Sequence, residues 1–308
     1  MSAADRPAAH QGRFVTGSLM RHVVTMSLSG TLGLSFTFLV DFLALWWISQ
    51  LRDEAMIAAV GIAATIQFAA MSIAIGMMIG AVALVSRAIG MGERARARRI
   101  ATVGIVLMVA VQAFVAALLW TFRREILMAT GAEGEVLDLG ARFLTITLPS
   151  MPVIATGIAC SAILRAVGDA WRSMAVTMVA GGIAVVLDPV LIYLLGWGVT
   201  GAALSIALAR FAMMVAGLWF AIRSHDMLAA PAREDIVTFF RPYAAIALPA
   251  IATQLSTPFG NWILTREIAA HGESAVAGWG VVMRLTILAF GGIFALSGTI
   301  GGIIGQNH

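Results

Sequence analysis

Hydrophobic residues in this chain come in runs of 20 or more, divided by short polar turns and by arginine-rich connections. Each run is long enough for a helix to cross a hydrocarbon layer about 30 Å thick. Hydropathy and punctuation together predict eight spans, at 20–49, 55–86, 100–121, 139–164, 174–195, 201–222, 243–269 and 275–305. The connections Gln50 to Glu54, Gly196 to Thr200 and His271 to Ser274 are short enough to force antiparallel helical hairpins. The fold class is therefore all-α and integral to the membrane: a helical bundle of about eight transmembrane helices.

Composition agrees: 60% of the 308 residues are hydrophobic and 12% charged, against about 45–50% and about 25% in soluble domains. The first apolar stretch, Val23 to Ile48, is too long for a cleavable signal peptide and carries Asp41 in its middle. Every basic residue is arginine, and net charge is +4. Those arginines flank helices, so the charge does not point to nucleic acid. The lone cysteine, Cys160, lies in an apolar run, which rules out a disulfide framework and a Cys-based metal site.

Arginine placement sets an orientation. The N-tail, the SRAIGMGERARARR connection and the later loops on that side hold thirteen arginines; the opposite loops hold three, Arg52, Arg123 and Arg124. The N-terminus is thus expected in the cytoplasm, in a multi-pass protein of a bacterial inner membrane. The acidic TGAEGEVLDLG segment (130–140) is expected at the outer surface.

Four regions follow: an N-tail (1–19), a six-helix lobe (20–222), a cytoplasmic linker (223–242) and the first two helices of a second lobe (243–308). An offset of 220 residues aligns Asp41 with Asn261 and the acidic turn at 53–55 with that at 273–275. Such weak internal similarity is typical of transporter halves. With that repeat, a chain stopping at His308 stops two helices into a second set of six, the mark of a truncated frame or a fragment.

Ionisable groups inside spans are costly and mark function by default. Asp41 and Asp188 each lie about eight residues from the outer end of a helix, about 12 Å below the surface at about 1.5 Å per residue. Two carboxylates at matching depth can share a site and a proton; the alternative is that each only ties neighbouring helices together. Pro189 follows Asp188, removes a backbone donor and should kink the fifth helix. Arg210, near the same depth, is either a salt-bridge partner for one of the acids or a ligand contact. Gln67, Asn261 and Arg284 are further cavity candidates, and Pro249 and Pro258 should bend and partly open the seventh helix as hinges. No HExxH, Walker A or GxSxG sequence is present, so an enzyme is not expected.

Several segments resemble the multidrug and toxic compound extrusion (MATE) transporters. They are FLVDFLALWWIS around Asp41, SRAIGMGE closing the second helix, LRAVGDAWRSM after the fourth, LDPVLIYLLGWGVTGAALS across the fifth and sixth, and the final IIGQNH. Their order and spacing carry the resemblance, which covers the chain from about residue 18.

The resemblance implies two six-helix lobes around an alternately opening cavity, in a secondary antiporter that exports amphipathic, cationic organic compounds in exchange for H⁺ or Na⁺. Asp41 and Asp188 match the ion-linked positions. Ala184 stands where members often carry Asn, and Ile206, next to Ser205, where they often carry Thr. Both changes remove oxygen ligands that a hard cation needs, so H⁺ is preferred. Thr257 replaces an acid found in one branch, and the DinF-like branch is the nearer one. The alternatives are a lipid-linked precursor flippase of the same superfamily and a non-transporting remnant. Expected partners are small organic substrates and membrane lipids, with no cofactor beyond the coupling ion, and a monomer when full length.

Overall fold

The structure is a computed structural model that describes residues 14–15, 18–50, 53–269, 271, 278–279, 282, 296 and 300–307. Some side chains within these helices, that of Asp41 among them, lie outside the description. Among the described residues, nine α-helices follow in chain order: α1 Leu19–Gln50, α2 Glu54–Gly90, α3 Arg94–Thr121, α4 Arg123–Ala129, α5 Gly134–Thr147, α6 Met151–Val167, α7 Ala170–Pro189, α8 Gly198–Trp219 and α9 Arg233–Ala269. Residues 300–307 are helical as well. Among the described residues, seven helical segments are long and apolar enough to span a membrane. They match the first seven predicted spans; most of the eighth, at 275–305, lies outside the described residues.

Three boundaries differ from the sequence expectation. α3 begins at Arg94, so its first two turns are the arginine run that reads as loop in the sequence. The 223–242 linker is non-helical only over 225–232, because α9 starts at Arg233 behind the acidic first-turn residues Glu234 and Asp235, which favour a helix N-terminus. The fourth span is broken by a 3₁₀ turn at Leu148–Ser150, where Pro149 and Pro152 each lack an N–H. Pro149 cannot cap the Thr145 carbonyl, and Trp120 of α3 donates its indole N–H to that oxygen at 3.3 Å.

Packing relies on small residues, as expected where apolar burial does not drive helices together. α2 and α9 are antiparallel neighbours: Gly76 faces Ile251 and Gly80 faces Ala247, while Tyr243 donates to the Met77 carbonyl at 2.8 Å. That register puts position 261 of α9 level with position 66 of α2. α1 and α7 meet through Phe36 on Gly181 and Trp47 on Tyr193, whose hydroxyl donates to the Trp47 carbonyl. Position 41 of α1 is therefore level with 186–187 of α7. One apolar cluster, containing Phe143, Leu144 and Ile192, fills the end of the bundle that carries α4; another, with Val85, Ile100 and Ile163, fills the arginine-rich end.

Candidate functional site

Asp188 sits one residue before the end of α7 and is 4% exposed. Pro189 closes the α-helix, and the chain continues as a π-turn over Val190–Leu194, with Leu195 N–H bonding the Val190 carbonyl at 3.0 Å. The kink expected from Pro189 thus takes the form of a change in helical type, common at functional positions. Across from it, Gly201 of α8 packs on the Leu191 carbonyl so closely that a Cβ would stand 2.5 Å from that oxygen. One turn deeper, the buried Ser205 hydroxyl lies beside the Asp188 carboxyl without completing a hydrogen bond of good geometry. Ile206 instead packs against the apolar cluster. Ser205, and not Ile206, is the α8 residue beside the Asp188 carboxyl.

Asp41 is helical in α1, level with the residues preceding Asp188; its side chain lies outside the described residues.

Arg210, 9% exposed, lies five residues beyond Ser205, about 7 Å further along α8. Among the described residues, its guanidinium pairs with no carboxylate. It donates through Nη1 to the Thr147 carbonyl and to Ser150 Oγ, both at 2.8 Å, and through Nη2 to Gln67 Oε1 at 2.6 Å. The sequence expectation of a shared depth with the acids is corrected here. The acceptors come from the break between α5 and α6, where the 3₁₀ turn presents the Thr147 carbonyl, and from α2. Gln67, a cavity candidate, is therefore a ligand of Arg210.

Asn261 sits in α9, level with Ile66. Beside it a crevice of about 690 Å³ runs between α2, α3 and α9, lined by Ile66, Ala70, Val115, Leu255, Pro258 and Phe259. α9 continues without a break through Pro249 and Pro258, so the expected opening of this helix does not occur. Each proline removes one donor, and the surrounding turns keep their bonds. Arg284 lies outside the described residues.

Three further polar groupings were not named as site residues, although two of them fall in the LRAVGDAWRSM motif. Gln112, 1% exposed, donates to the Ala70 carbonyl at 2.9 Å while its Oε1 has no partner. Arg165 turns inward to Ser161, Ser173 and the Met78 sulfur. Asp169 caps α7 through the Arg172 N–H and binds Arg172 and His225 through Oδ2. A lone glutamine in an apolar run, and an Asp three residues before an Arg, were the available signals. Among the described residues, no three His, Cys, Asp or Glu side chains come together as a metal site.

The comparisons with known proteins fit this arrangement. The family model MatE matches residues 31–190, which include Asp41, the whole α5–α6 break and Asp188. The chain is 25% identical over 280 residues to the multidrug export protein MepA of Staphylococcus aureus (strain NCTC 8325 / PS 47), covering 88% of this chain and 61% of that protein. It is likewise 25% identical over 283 residues to MepA of Staphylococcus haemolyticus (strain JCSC1435). The chain thus spans about three fifths of the length of these relatives. Among solved structures, it superposes with a TM-score of 0.87 at 24% identity on an outward-facing multidrug resistance MATE family transporter of the MOP superfamily, covering 96% of this chain and 66% of that one. A MOP superfamily transporter from Pyrococcus furiosus Vc1, described as having a binding pocket of reverse polarity, gives a TM-score of 0.86 at 24% identity, covering 96% and 67%.

Proposed function

Because the chain belongs to the MatE family of multi-pass membrane transporters, we propose that the protein is a cation-coupled secondary antiporter that exports amphipathic, cationic organic compounds by alternating access. The observation that carries this reading is Asp188. It is a carboxyl buried where α7 passes into a π-turn, with one hydroxyl beside it and Asp41 level with it on α1. Uptake of H⁺ by this carboxyl from one side and release to the other can bias the packing of α1, α7 and α8.

H⁺ is the preferred ion, because Ala184 and Ile206 supply no oxygen and Ser205 alone stands in the first-neighbour position. Asp41 and Asp188 carry the coupling, with Pro189 as the hinge between them and the π-turn. Substrate meets the face around Asn261 and Arg284 and the apolar crevice beside Pro258, and Pro249 and Pro258 set the bend of α9. The N-terminus and the arginine-rich loops face the cytoplasm of a bacterial inner membrane, with 20–222 as one lobe and 243–308 opening the next.

The test is ethidium efflux from energised cells carrying the full-length gene, comparing wild type with Asp41→Asn and Asp188→Asn at two pH values, with and without Na⁺. Loss of efflux in both variants, with wild-type activity following the proton gradient, is the expected result. Unchanged efflux in both would reduce the acids to packing residues, and Na⁺-dependent efflux would replace H⁺ as the coupling ion. No efflux from wild type would favour the lipid-linked precursor reading.

A further inference from the structure

Arg210 is a buried cation whose three acceptors among the described residues are all neutral, and they belong to two separate stretches of chain: α2 and the break that joins α5 to α6. A guanidinium in such a place adds little to stability compared with a well-packed apolar side chain. What it does supply is geometry, since its planar fork fixes both the depth and the roll of the helix that bears it. The same helix meets Asp188. Gly201 of α8 rests on the Leu191 carbonyl of the π-turn, and Ser205 lies beside the Asp188 carboxyl. One end of α8 therefore touches the acid, and a point five residues on is bolted to the rest of the bundle.

We infer that Arg210 is the positioning residue for coupling at Asp188: it holds α8 so that Ser205 can donate to the carboxylate in one state of the cycle and withdraw in the other. The inference rests on the reading of Asp188 as the coupling acid. Ser205 lies beside the carboxyl without a hydrogen bond of good geometry, so a small movement of α8 decides how well it donates. The α5–α6 break is the natural receiver of the motion, because its two prolines leave that joint with fewer backbone bonds than an unbroken helix.

Among the described residues, the polar groups around Asp188 are these. α8 brings Ser205; the π-turn brings Tyr193, whose hydroxyl is spent on the Trp47 carbonyl of α1. α1 carries Asp41 at nearly the same level. α6 meets α7 through Ser161 and Arg165 at Ser173, fifteen residues or about 22 Å along the helix from Asp188.

The experiment uses the purified full-length transporter in proteoliposomes and records initial rates of ethidium efflux against pH. The variants are Arg210→Lys, Ser205→Ala, their combination, and Asp188→Asn, with thermal unfolding followed in parallel. Gln67→Met, which removes one arm of the clamp, serves where Arg210→Lys does not fold. A hydroxyl that donates to a carboxylate favours its ionised form, so Arg210→Lys and Ser205→Ala are both expected to move the pH midpoint of efflux upward. The double variant is expected to move it no further than Ser205→Ala alone, because residues acting through one another are non-additive. A rate lowered by the same factor at every pH, with the midpoint unmoved, overturns the inference and leaves Arg210 a packing residue. Additive shifts in the double variant overturn it too. A wild-type pH profile in Asp188→Asn overturns the reading of Asp188 itself, which is separable from an unmoved Arg210→Lys midpoint in a protein whose Asp188→Asn variant has lost its pH dependence.

Discussion

His225 Nε2 stands 2.7 Å from Asp169 Oδ2, joining the turn between α6 and α7 to the first residue of the non-helical segment after α8. The same carboxylate accepts from the Arg172 backbone and guanidinium. Burial pushes the Asp169 carboxyl up, but the bonds from Arg172 and His225 outweigh it and hold the group below the ordinary carboxylate range.

A group with a lowered folded pKa contributes stability that is present above its unfolded value, about 3.9 for Asp, and is lost as pH falls through the lowered folded value. Asp169→Asn keeps a capping oxygen but loses the charge. It is expected to destabilise the protein by about 1–2 kcal/mol at neutral pH, with the difference from wild type closing as pH falls below about 4. Thermal unfolding in detergent across that range measures it; a difference that persists unchanged in acid would rule the charge out as the cause.

The arginine run at the start of α3 grips the segment that follows α8. Arg94 donates to the His225 carbonyl, Arg98 to the Leu228 carbonyl through both Nε and Nη2 and to Asp226, and Thr102 exchanges bonds with both backbone groups of Ala229. Removing such a bond loosens local structure by about 1 kcal/mol, so Arg98→Ala or Thr102→Val should speed proteolysis within 225–233 about fivefold. Limited digestion of the detergent-solubilised protein with chymotrypsin, which can cut after Met227 and Leu228, reads this directly. Wild-type cleavage rates in both variants would mean that the grip does not hold the segment.

Gly201→Ala would place a methyl 2.5 Å from the Leu191 carbonyl. Neither partner is a flexible side chain, so α8 and the π-turn must separate. The expected cost is about 1–3 kcal/mol, seen as a lower unfolding temperature together with weakened efflux, since the displaced contact adjoins Asp188. Unchanged stability would show that the π-turn yields without strain.

Trp120 and Pro149 should be coupled. Trp120→Phe removes the donor to the Thr145 carbonyl and is expected to cost about 1 kcal/mol. In a Pro149→Ala background, a backbone N–H is restored near that oxygen and the cost should shrink. A double-mutant cycle in unfolding free energy measures the coupling; purely additive changes would detach the indole from the proline break.

The run lengths between polar turns were enough to place seven spans, with ends displaced by up to ten residues at the start of α9, because crossing a membrane demands a long apolar helix whatever its neighbours are. The same logic marked Asp188, Arg210 and Gln67 as residues too polar to lie in a span by accident. It could not distribute their partners. Arginine and aspartate of similar depth read as a pair, yet Arg210 turned to neutral oxygens at the α5–α6 break, and Ser205, dismissed as adjacent to the expected position, became the neighbour of Asp188. Boundaries erred where charge and helix coincide, as in α3, whose arginines read as loop because hydropathy is blind to a helix that leaves the membrane.

What the sequence determined by itself is therefore what depends on transfer between water and hydrocarbon: that the seven described spans are long apolar helices and that Asp188 lies within one of them, together with the family the chain belongs to. What only the tertiary structure decided is which polar group meets which, because that depends on the rotation of each helix about its axis. That rotation is set by close contacts such as Gly181 on Phe36, Gly76 on Ile251 and Gly201 on Leu191. Those contacts join positions far apart along the chain, and no local pattern encodes them.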